Sequence, residues 1–137
     1  MVIFSEMQNN DQSAVINLWN ICNLTRPWND PVSDIAFAIQ HANSTIIVGR
    51  TEDHIVATAM VGHDRRRGAL YYVEVGPNHQ NMGIGAALMG AAESWLKTKG
   101  VWKINVLIRE DNLGGVGFYK SFGFEPNAVI SMGKQIS

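Results

Sequence analysis

The hydrophobic and polar positions of this chain follow two periods, one typical of strands and one typical of helices. Several stretches are short, rich in β-branched and aromatic residues, and bounded by glycine, proline or polar turns. This pattern predicts strands at residues 2–5, 45–51, 55–62, 69–75 and 103–108, with one or two further strands within 124–133. A short polar turn at 52–54 predicts that the second and third strands form a hairpin.

Four other stretches have the spacing and the end signals of helices. Their start signals are Asn10 and Asp11, Asp30 before Pro31, the Gly83–Gly85 loop, and Asn112. Gly100 and Gly123 are the stop signals of the third and fourth helices. The predicted inward positions of the first three helices are Val15, Leu18, Trp19 and Cys22; Ile35, Ala38 and Ile39; and Ile84, Leu88, Ala91 or Ala92, and Trp95.

The order of these elements predicts an α/β fold with a mixed, mostly antiparallel central sheet and about four flanking helices. A helix joins the strands at 69–75 and 103–108, so these two strands should lie parallel through a crossover connection. The sequence contains no repeat, low-complexity tract or linker. We therefore expect a single domain that spans residues 1–137.

Composition narrows the class of protein. With 46% hydrophobic and 17% charged residues, the chain is typical of a globular protein and unlike a disordered one. A net charge of −1 gives no reason to expect a nucleic-acid or membrane partner. Cys22 is the only cysteine, no histidine has metal-ligand spacing, and the N-terminus lacks the pattern of a signal peptide. We expect a cytoplasmic protein without a metal.

A glycine-rich loop between a predicted strand and a predicted helix is the strongest candidate site. Gln80, Gly83 and Gly85 follow the strand that ends at Val75. The first N–H groups of a helix have no internal partners and bind anions, and glycine allows close approach of a phosphate. Neither the third glycine of a dinucleotide fingerprint nor the Gly-Lys-Ser/Thr of a Walker A loop is present. A glycine turn that only starts a helix is the alternative.

This loop resembles the acyl-CoA loop of the GCN5-related N-acetyltransferase (GNAT) superfamily. A second motif of that superfamily has Asn, then Tyr seven residues on, then Gly-Phe, and Asn112, Tyr119 and Gly123-Phe124 match it. The segment from Leu24 to Pro31 further resembles the small bacterial YpeA-type acetyltransferases. Gly115 stands where the family usually has Ala, which indicates either a poorly formed helical turn or close approach to the pantetheine arm.

The resemblance implies a GNAT fold in which one parallel strand pair is splayed and acetyl-CoA is the cofactor. The implied cofactor-binding residues are Val73, Val75, Gln80, Asn81, Met82, Gly83, Ile84, Gly85, Ala86, Asn112 and Tyr119. A backbone N–H near Val75 would stabilise the oxyanion. Tyr119 would be the general acid, because a phenol is protonated at neutral pH; a core aromatic is the alternative.

The general base is less well defined. Relatives place a glutamate at positions that match Ala69, Tyr71 or Leu107, and none of these is a carboxylate. Glu74 lies on the same strand as the first two. By alternation it faces opposite to Tyr71, Val73 and Val75, unless a bulge turns it. A solvated or ion-paired Glu74, deprotonation through water, and an amine that arrives neutral are the alternatives.

The loop between the first two helices lies over the acceptor in this family, which makes Arg26, Trp28 and Asn29 candidate substrate-binding residues. Arg26 would bind a carboxylate or phosphate and Trp28 would pack on an amine. A rigid loop packed by its own Trp28 is the alternative. The resemblance thus implies transfer of acetyl to an amine of a small molecule or a protein, by a monomer or a homodimer. A catalytically silent acyl-CoA-binding module is the competing function.

Overall fold

In a computed structural model that describes residues 1–137, five strands form one sheet whose spatial order follows the sequence. The strands are β1 (Ile3–Glu6), β2 (Ser44–Thr51), β3 (His54–His63), β4 (Gly68–Val75) and β5 (Ile104–Val106). The α-helices are α1 (Gln12–Ile21), α2 (Pro31–Ile39), α3 (Ile84–Thr98) and α4 (Leu113–Lys120). This mixed sheet with four helices confirms the predicted fold class.

The pairing of the strands follows the predicted topology. β1, β2, β3 and β4 form an antiparallel meander, and β5 lies parallel to β4 through the crossover made by α3. The chain divides into two compact units. Met1–Leu107 holds the sheet with α1, α2 and α3, and Ile108–Ser137 holds α4. None of the helices is long and apolar enough to cross a membrane.

The two faces of the sheet are covered by different helices. On one face, α1 and α2 bury a cluster with the sheet. The cluster consists of Met7, Val15, Trp19, Ile35, Ala38, Ile46 and Val48. On the other face, α3 buries Ile84, Leu88, Met89, Ala92 and Leu96. The predicted inward stripes are therefore largely confirmed, although Cys22, Ile39 and Trp95 are only half-buried.

The strand predicted within 124–133 is wrong. No strand follows β5, and the apolar side chains near the C-terminus lie in solvent. The exposed residues there include Val129, Ile130, Met132 and Ile136. Pro126 has no N–H to donate to a neighbouring strand, and Gly133 weakens strand pairing. The stretch left between them is long enough for a strand, but no neighbouring edge accepts its hydrogen bonds.

A β-bulge interrupts the pairing of β3 with β4. Val75 pairs with Ala57 and Glu74 with Thr58, but the next pair is Tyr71 with Met60. Two residues of β4, Tyr72 and Val73, therefore stand opposite Ala59. Tyr72 takes a left-handed backbone conformation with φ of 50°. Because the bulge adds one residue, every side chain of β4 beyond it changes face relative to strict alternation.

The bulge is held by contacts with α1. The indole of Trp19 stacks on the ring of Tyr72, with centroids 3.9 Å apart. The buried hydroxyl of Thr58 accepts a hydrogen bond from Trp19 Nε1 (2.9 Å) and donates one to the carbonyl of Tyr72 (2.9 Å). One hydroxyl thus satisfies a buried indole N–H and bonds a carbonyl of the bulge.

Replacing this hydroxyl should destabilise the protein without a change of shape. We expect Thr58→Val to lower the free energy of unfolding by about 2–4 kcal/mol, because two buried polar groups lose their partner. Thr58→Ser keeps the hydroxyl and should cost about 1 kcal/mol for the lost methyl group. Urea unfolding of both variants checks this, and equal losses would show that the hydroxyl does not hold the bulge.

Candidate active site

The bulge decides which way the last residues of β4 point. Beyond it, Glu74 pairs with Thr58, whose hydroxyl contacts Trp19 of α1. Directly opposed residues of two strands share a face, so Glu74 lies on the α1 side of the sheet. The bulge that could turn Glu74 is therefore present. Glu74 lies on the same face as Tyr71, and Val75 lies on the face of α3.

The N–H of Val75 lies at an open edge of the sheet. The next residue, Gly76, donates its N–H to the carbonyl of Val56 on β3 at 2.7 Å. Successive N–H groups of an antiparallel strand point alternately toward the partner and away from it, so the N–H of Val75 points away from β3. On that side β5 pairs only with Gly68–Leu70. No strand therefore faces Val75, which agrees with a splayed parallel pair.

The carboxylate of Glu74 is the hydrogen-bond acceptor of this N–H. Its Oε1 accepts a hydrogen bond from the N–H of Val75 at 3.1 Å. Glu74 is half-buried, and burial raises the pKa of its carboxyl while the hydrogen bond from Val75 opposes the rise. The ion pairs of the protein join Asp11 to Arg50, Asp64 to Arg66 and Asp111 to Arg109, so none of them involves Glu74.

The pKa of the Cys22 thiol, at the C-terminal cap of α1, is affected by the charge of the same carboxylate. Burial raises the pKa of Cys22 to about 11, and the negative charge of Glu74 contributes to the rise. The charge of Glu74 thus acts on the thiol that follows α1, and Glu74 itself is half-buried. A partly buried carboxylate without a paired cation is typical of a carboxylate with a chemical function. Alternation along the strand does not predict this position of Glu74.

The glycine loop directly follows this strand end. A 3-10 turn at Pro77–His79 leads to Gln80, whose Nε2 donates to the carbonyl of Val75 at 3.2 Å. Asn81 and Gly83 have positive φ, and a Cβ on Gly83 would meet nothing within 4 Å. Gly83 is thus required by its backbone conformation, and the space around it is open.

The helix N-terminus after the loop presents unpaired donors. The first bond of α3 runs from the N–H of Ala87 to the carbonyl of Gly83 at 3.2 Å. The N–H groups of Ile84, Gly85 and Ala86 precede that bond and have no partner within the helix. The side chain of Ile84 is buried, while Asn81, Met82 and Ala86 are exposed. The backbone is therefore the part of the loop that can bind an anion.

The loop between α1 and α2 is held by its own residues. Arg26 donates from Nη1 to the carbonyls of Asn23 (2.6 Å) and Thr25 (3.0 Å). Asp30 caps α2 by accepting from the N–H of Val32 at 3.1 Å. The side chain of Trp28 is 69% exposed and does not pack the loop from inside. Arg26 thus has a structural part in this loop, and Trp28 is left available to a ligand.

Two further residues of this region carry no sequence signal. The hydroxyl of Tyr72 donates to Asp34 of α2 at 2.6 Å. Burial and the Asp34 carboxylate raise the pKa of Tyr72, and Asn29 opposes the rise. No pattern marks this pair, because Asp34 resembles an ordinary acidic residue of a first helical turn and Tyr72 an ordinary strand residue.

The second motif lies in the unit Ile108–Ser137. Oδ1 of Asn112 accepts from the N–H of Gly115 at 2.9 Å and caps α4, whose first turn is well formed. A Cβ on Gly115 would lie 2.5 Å from Nδ2 of Asn112, so the asparagine cap itself accounts for this glycine. Tyr119 packs edge-on against Phe118 and Phe124, with centroids 5.1 and 5.3 Å away.

The structure thus joins some of the predicted site residues directly. Hydrogen bonds connect Glu74 and Gln80 with Val75. Val73 lies in the bulge itself. No group of three or more histidine, cysteine or acidic side chains is placed to hold a metal ion. What the site offers is backbone donors, one partly buried carboxylate and aromatic rings.

Comparison with known proteins identifies the same class of enzyme. A model of the acetyltransferase (GNAT) family matches residues 13–124. An acetyltransferase of Pectobacterium atrosepticum is 38% identical over 126 residues, which cover 92% of this chain and 89% of that protein. An acetyltransferase of Yersinia pseudotuberculosis is 36% identical over 129 residues, covering 94% and 92% of the two chains.

Solved structures share the fold at low sequence identity. AAC(6')-Iy in complex with the bisubstrate analog CoA-S-monomethyl-acetylneamine has a TM-score of 0.85 at 16% identity, with 99% of each chain covered. A ribosomal-protein-alanine N-acetyltransferase from Escherichia coli has a TM-score of 0.77 at 18% identity, covering 93% of this chain and 80% of that one. Together with the family match, these similarities show that the chain is an N-acetyltransferase that belongs to the GNAT family.

Proposed function

We propose that residues 1–137 act as one domain that transfers an acetyl group from acetyl-CoA to a primary amine by direct attack. The observation that carries this proposal is the N–H of Val75. It points to the open edge of the sheet and lies at the end of the strand that leads into the glycine loop. An oxyanion donor and a diphosphate-binding helix N-terminus are thus built into one strand–loop–helix unit.

The reaction needs four contributions from the chain. The N–H groups of Met82 to Ala86 bind the diphosphate, and the N–H of Val75 stabilises the negative charge on the thioester oxygen. Glu74 accepts the proton of the amine as its nitrogen bonds to the carbonyl carbon. Tyr119 gives its proton to the sulfur as the carbon–sulfur bond breaks. Asn112 supports this last step by capping the helix that carries Tyr119.

The acceptor is an amine of a small molecule or of a protein. The structures of similar fold include both kinds of enzyme, a ribosomal-protein-alanine N-acetyltransferase and an aminoglycoside acetyltransferase in complex with sisomicin. Exposed Trp28 and partly buried Glu74 suit a cationic amine. Arg26 shapes the acceptor loop by holding its backbone carbonyls, and half-buried Asn29 is a further candidate contact of the acceptor in the same loop.

Binding of the CoA diphosphate is tested by adding a side chain at the start of α3. Gly85→Val should weaken CoA binding at least about tenfold, since a branched side chain obstructs phosphate at a site built from backbone N–H groups. Gly90→Val is the matched control, because Gly90 lies in the same helix and a Cβ there meets nothing within 4 Å. Calorimetry with CoA measures both. Equal affinity of the two folded variants would refute the assignment.

The acceptor loop is tested by removing its exposed indole. Trp28→Ala should raise the acceptor KM by about 5- to 30-fold, corresponding to the loss of a cation–π contact of about 1–2 kcal/mol, and leave the KM for acetyl-CoA unchanged. The control is Trp102→Ala, at an equally exposed tryptophan whose ring lies 4.2 Å from the guanidinium of Arg67. A raised KM for acetyl-CoA instead would place Trp28 on the cofactor side.

The general acid is tested by removing one hydroxyl. Tyr119→Phe keeps the edge-on ring contacts and should lower kcat by about 10²–10⁴, the usual loss for a positioned proton donor. The loss should shrink with an acetyl thioester of a more acidic thiol, because that thiolate leaves without a proton. CoA affinity should be unchanged. A wild-type kcat with chemistry shown to be rate-limiting would make Tyr119 only a packing residue.

The same assays separate transfer from binding alone. Thiol release is measured with a panel of small amines and peptide amines, beside direct measurement of CoA binding. Binding without release across the panel would favour the acyl-CoA-binding module.

A further inference from the structure

The N–H proposed to stabilise the oxyanion already has an acceptor. Oε1 of Glu74 accepts the hydrogen bond of the Val75 N–H at 3.1 Å. Val75 is a buried residue, only 8% exposed. One N–H donates one strong hydrogen bond. The thioester oxygen and the Glu74 carboxylate therefore need the same proton at the same time.

The geometry points to a displacement in which the acyl carbonyl takes the N–H of Val75 from Glu74 and so frees the Glu74 carboxylate for the amine. This inference rests on the proposed function, because it assigns Val75 to the oxyanion and Glu74 to the amine. It adds a role for Glu74 in selecting the acylated form of CoA, beyond the transfer of a proton. Free CoA has no acyl carbonyl oxygen at its sulfur and leaves Glu74 bound to Val75.

The displacement changes the basicity of Glu74 in the useful direction. A hydrogen bond to the charged form of a carboxyl favours that form, and the bond from Val75 holds the pKa of Glu74 down against the effect of burial. When the acyl oxygen takes this bond, only the effect of burial is left and the pKa rises. Glu74 therefore becomes the stronger base when the acyl group is in place.

The surroundings of Glu74 allow the freed carboxylate to stay near the site. Cys22 of α1 lies close enough for its thiol pKa to respond to the charge of Glu74. Tyr72 stacks on Trp19 on the same face of the sheet. The ion pairs of the protein do not involve Glu74, so no cation on the chain captures it. An incoming ammonium or amine group is thus its next partner.

The test isolates the carbonyl oxygen. Acetyl-CoA and S-ethyl-CoA have the same chain length, and only acetyl-CoA carries the oxygen that competes with Glu74. The ratio of the two dissociation constants, S-ethyl-CoA over acetyl-CoA, measures what the oxygen contributes to binding. Calorimetry without any amine gives both constants. CoA itself is a third ligand, and its dissociation constant measures binding through the diphosphate without an acyl group.

Removing the competing carboxylate should increase this ratio. We expect Glu74→Ala to raise it about tenfold over wild type, because the oxygen no longer has to displace a charge-assisted hydrogen bond. Glu74→Gln keeps an uncharged acceptor of the same shape and should raise it about threefold, since a neutral hydrogen bond is weaker. CoA and S-ethyl-CoA should bind both variants as they bind wild type. Asp53→Ala, in the turn between β2 and β3, controls for the loss of one negative charge.

The outcomes separate this inference from the function on which it rests. An unchanged ratio in folded Glu74→Ala, with CoA still bound, would overturn the displacement and leave the acetyltransferase assignment of the loop intact. If Glu74→Ala does not fold, an unchanged ratio in Glu74→Gln overturns the displacement equally. Wild-type protein that binds none of the three ligands would overturn the proposed cofactor site and the displacement with it. An equal rise of the ratio in Asp53→Ala would overturn the displacement, because the effect would then come from the loss of one negative charge.

Discussion

The bulge in β4 is the constraint on which the rest of the site depends. By placing Tyr72 and Val73 opposite Ala59, it shifts the end of the strand by one residue. That shift places Glu74 on the face of α1. It also sets which of the last N–H groups of β4 point away from β3. Without the extra residue, the side chain of Glu74 would lie on the other face of the sheet. The N–H of Val75, the candidate oxyanion donor, would then point toward β3.

The bulge is costly in itself, and the core compensates for it. A residue other than glycine with φ near +50° is disfavoured by about 1–2 kcal/mol. The stacking of Tyr72 on Trp19, the hydrogen bond of its carbonyl to Thr58 and that of its hydroxyl to Asp34 oppose this cost. All of these partners come from other elements. The local conformation of β4 is therefore imposed by α1, α2 and β3 together.

This origin explains which parts of the structure the sequence predicts. The cap of α2 by Asp30, the cap of α4 by Asn112 and the start of α3 at the glycine loop are encoded within a few residues, and the sequence predicts each of them. The bulge depends on a threonine 14 residues away and on contacts of Thr58 with a tryptophan 39 residues away. Alternation along one strand carries no trace of these contacts.

The strand expected within 124–133 is wrong for the opposite reason. Local propensity favours it, because Val129 and Ile130 are strong strand formers, but a strand forms only when a neighbouring edge accepts its hydrogen bonds. Those side chains are exposed and no ladder includes them. Propensity thus identifies these residues as strand formers but does not show whether they pair. The parallel placement of β5, in contrast, follows from the crossover rule alone.

Glu74 resolves a conflict between folding and chemistry at the open edge. The proposed reaction develops negative charge and needs a donor fixed in advance, and the short pairing of β5 leaves the N–H of Val75 without a neighbouring strand as the candidate. Folding opposes this arrangement, because an unpaired N–H buried at 8% exposure costs about 1–3 kcal/mol. A second strand would satisfy the N–H permanently and remove it from use. The side chain of Glu74 satisfies it in the folded protein, and in the proposed displacement the same side chain releases it to the acyl oxygen.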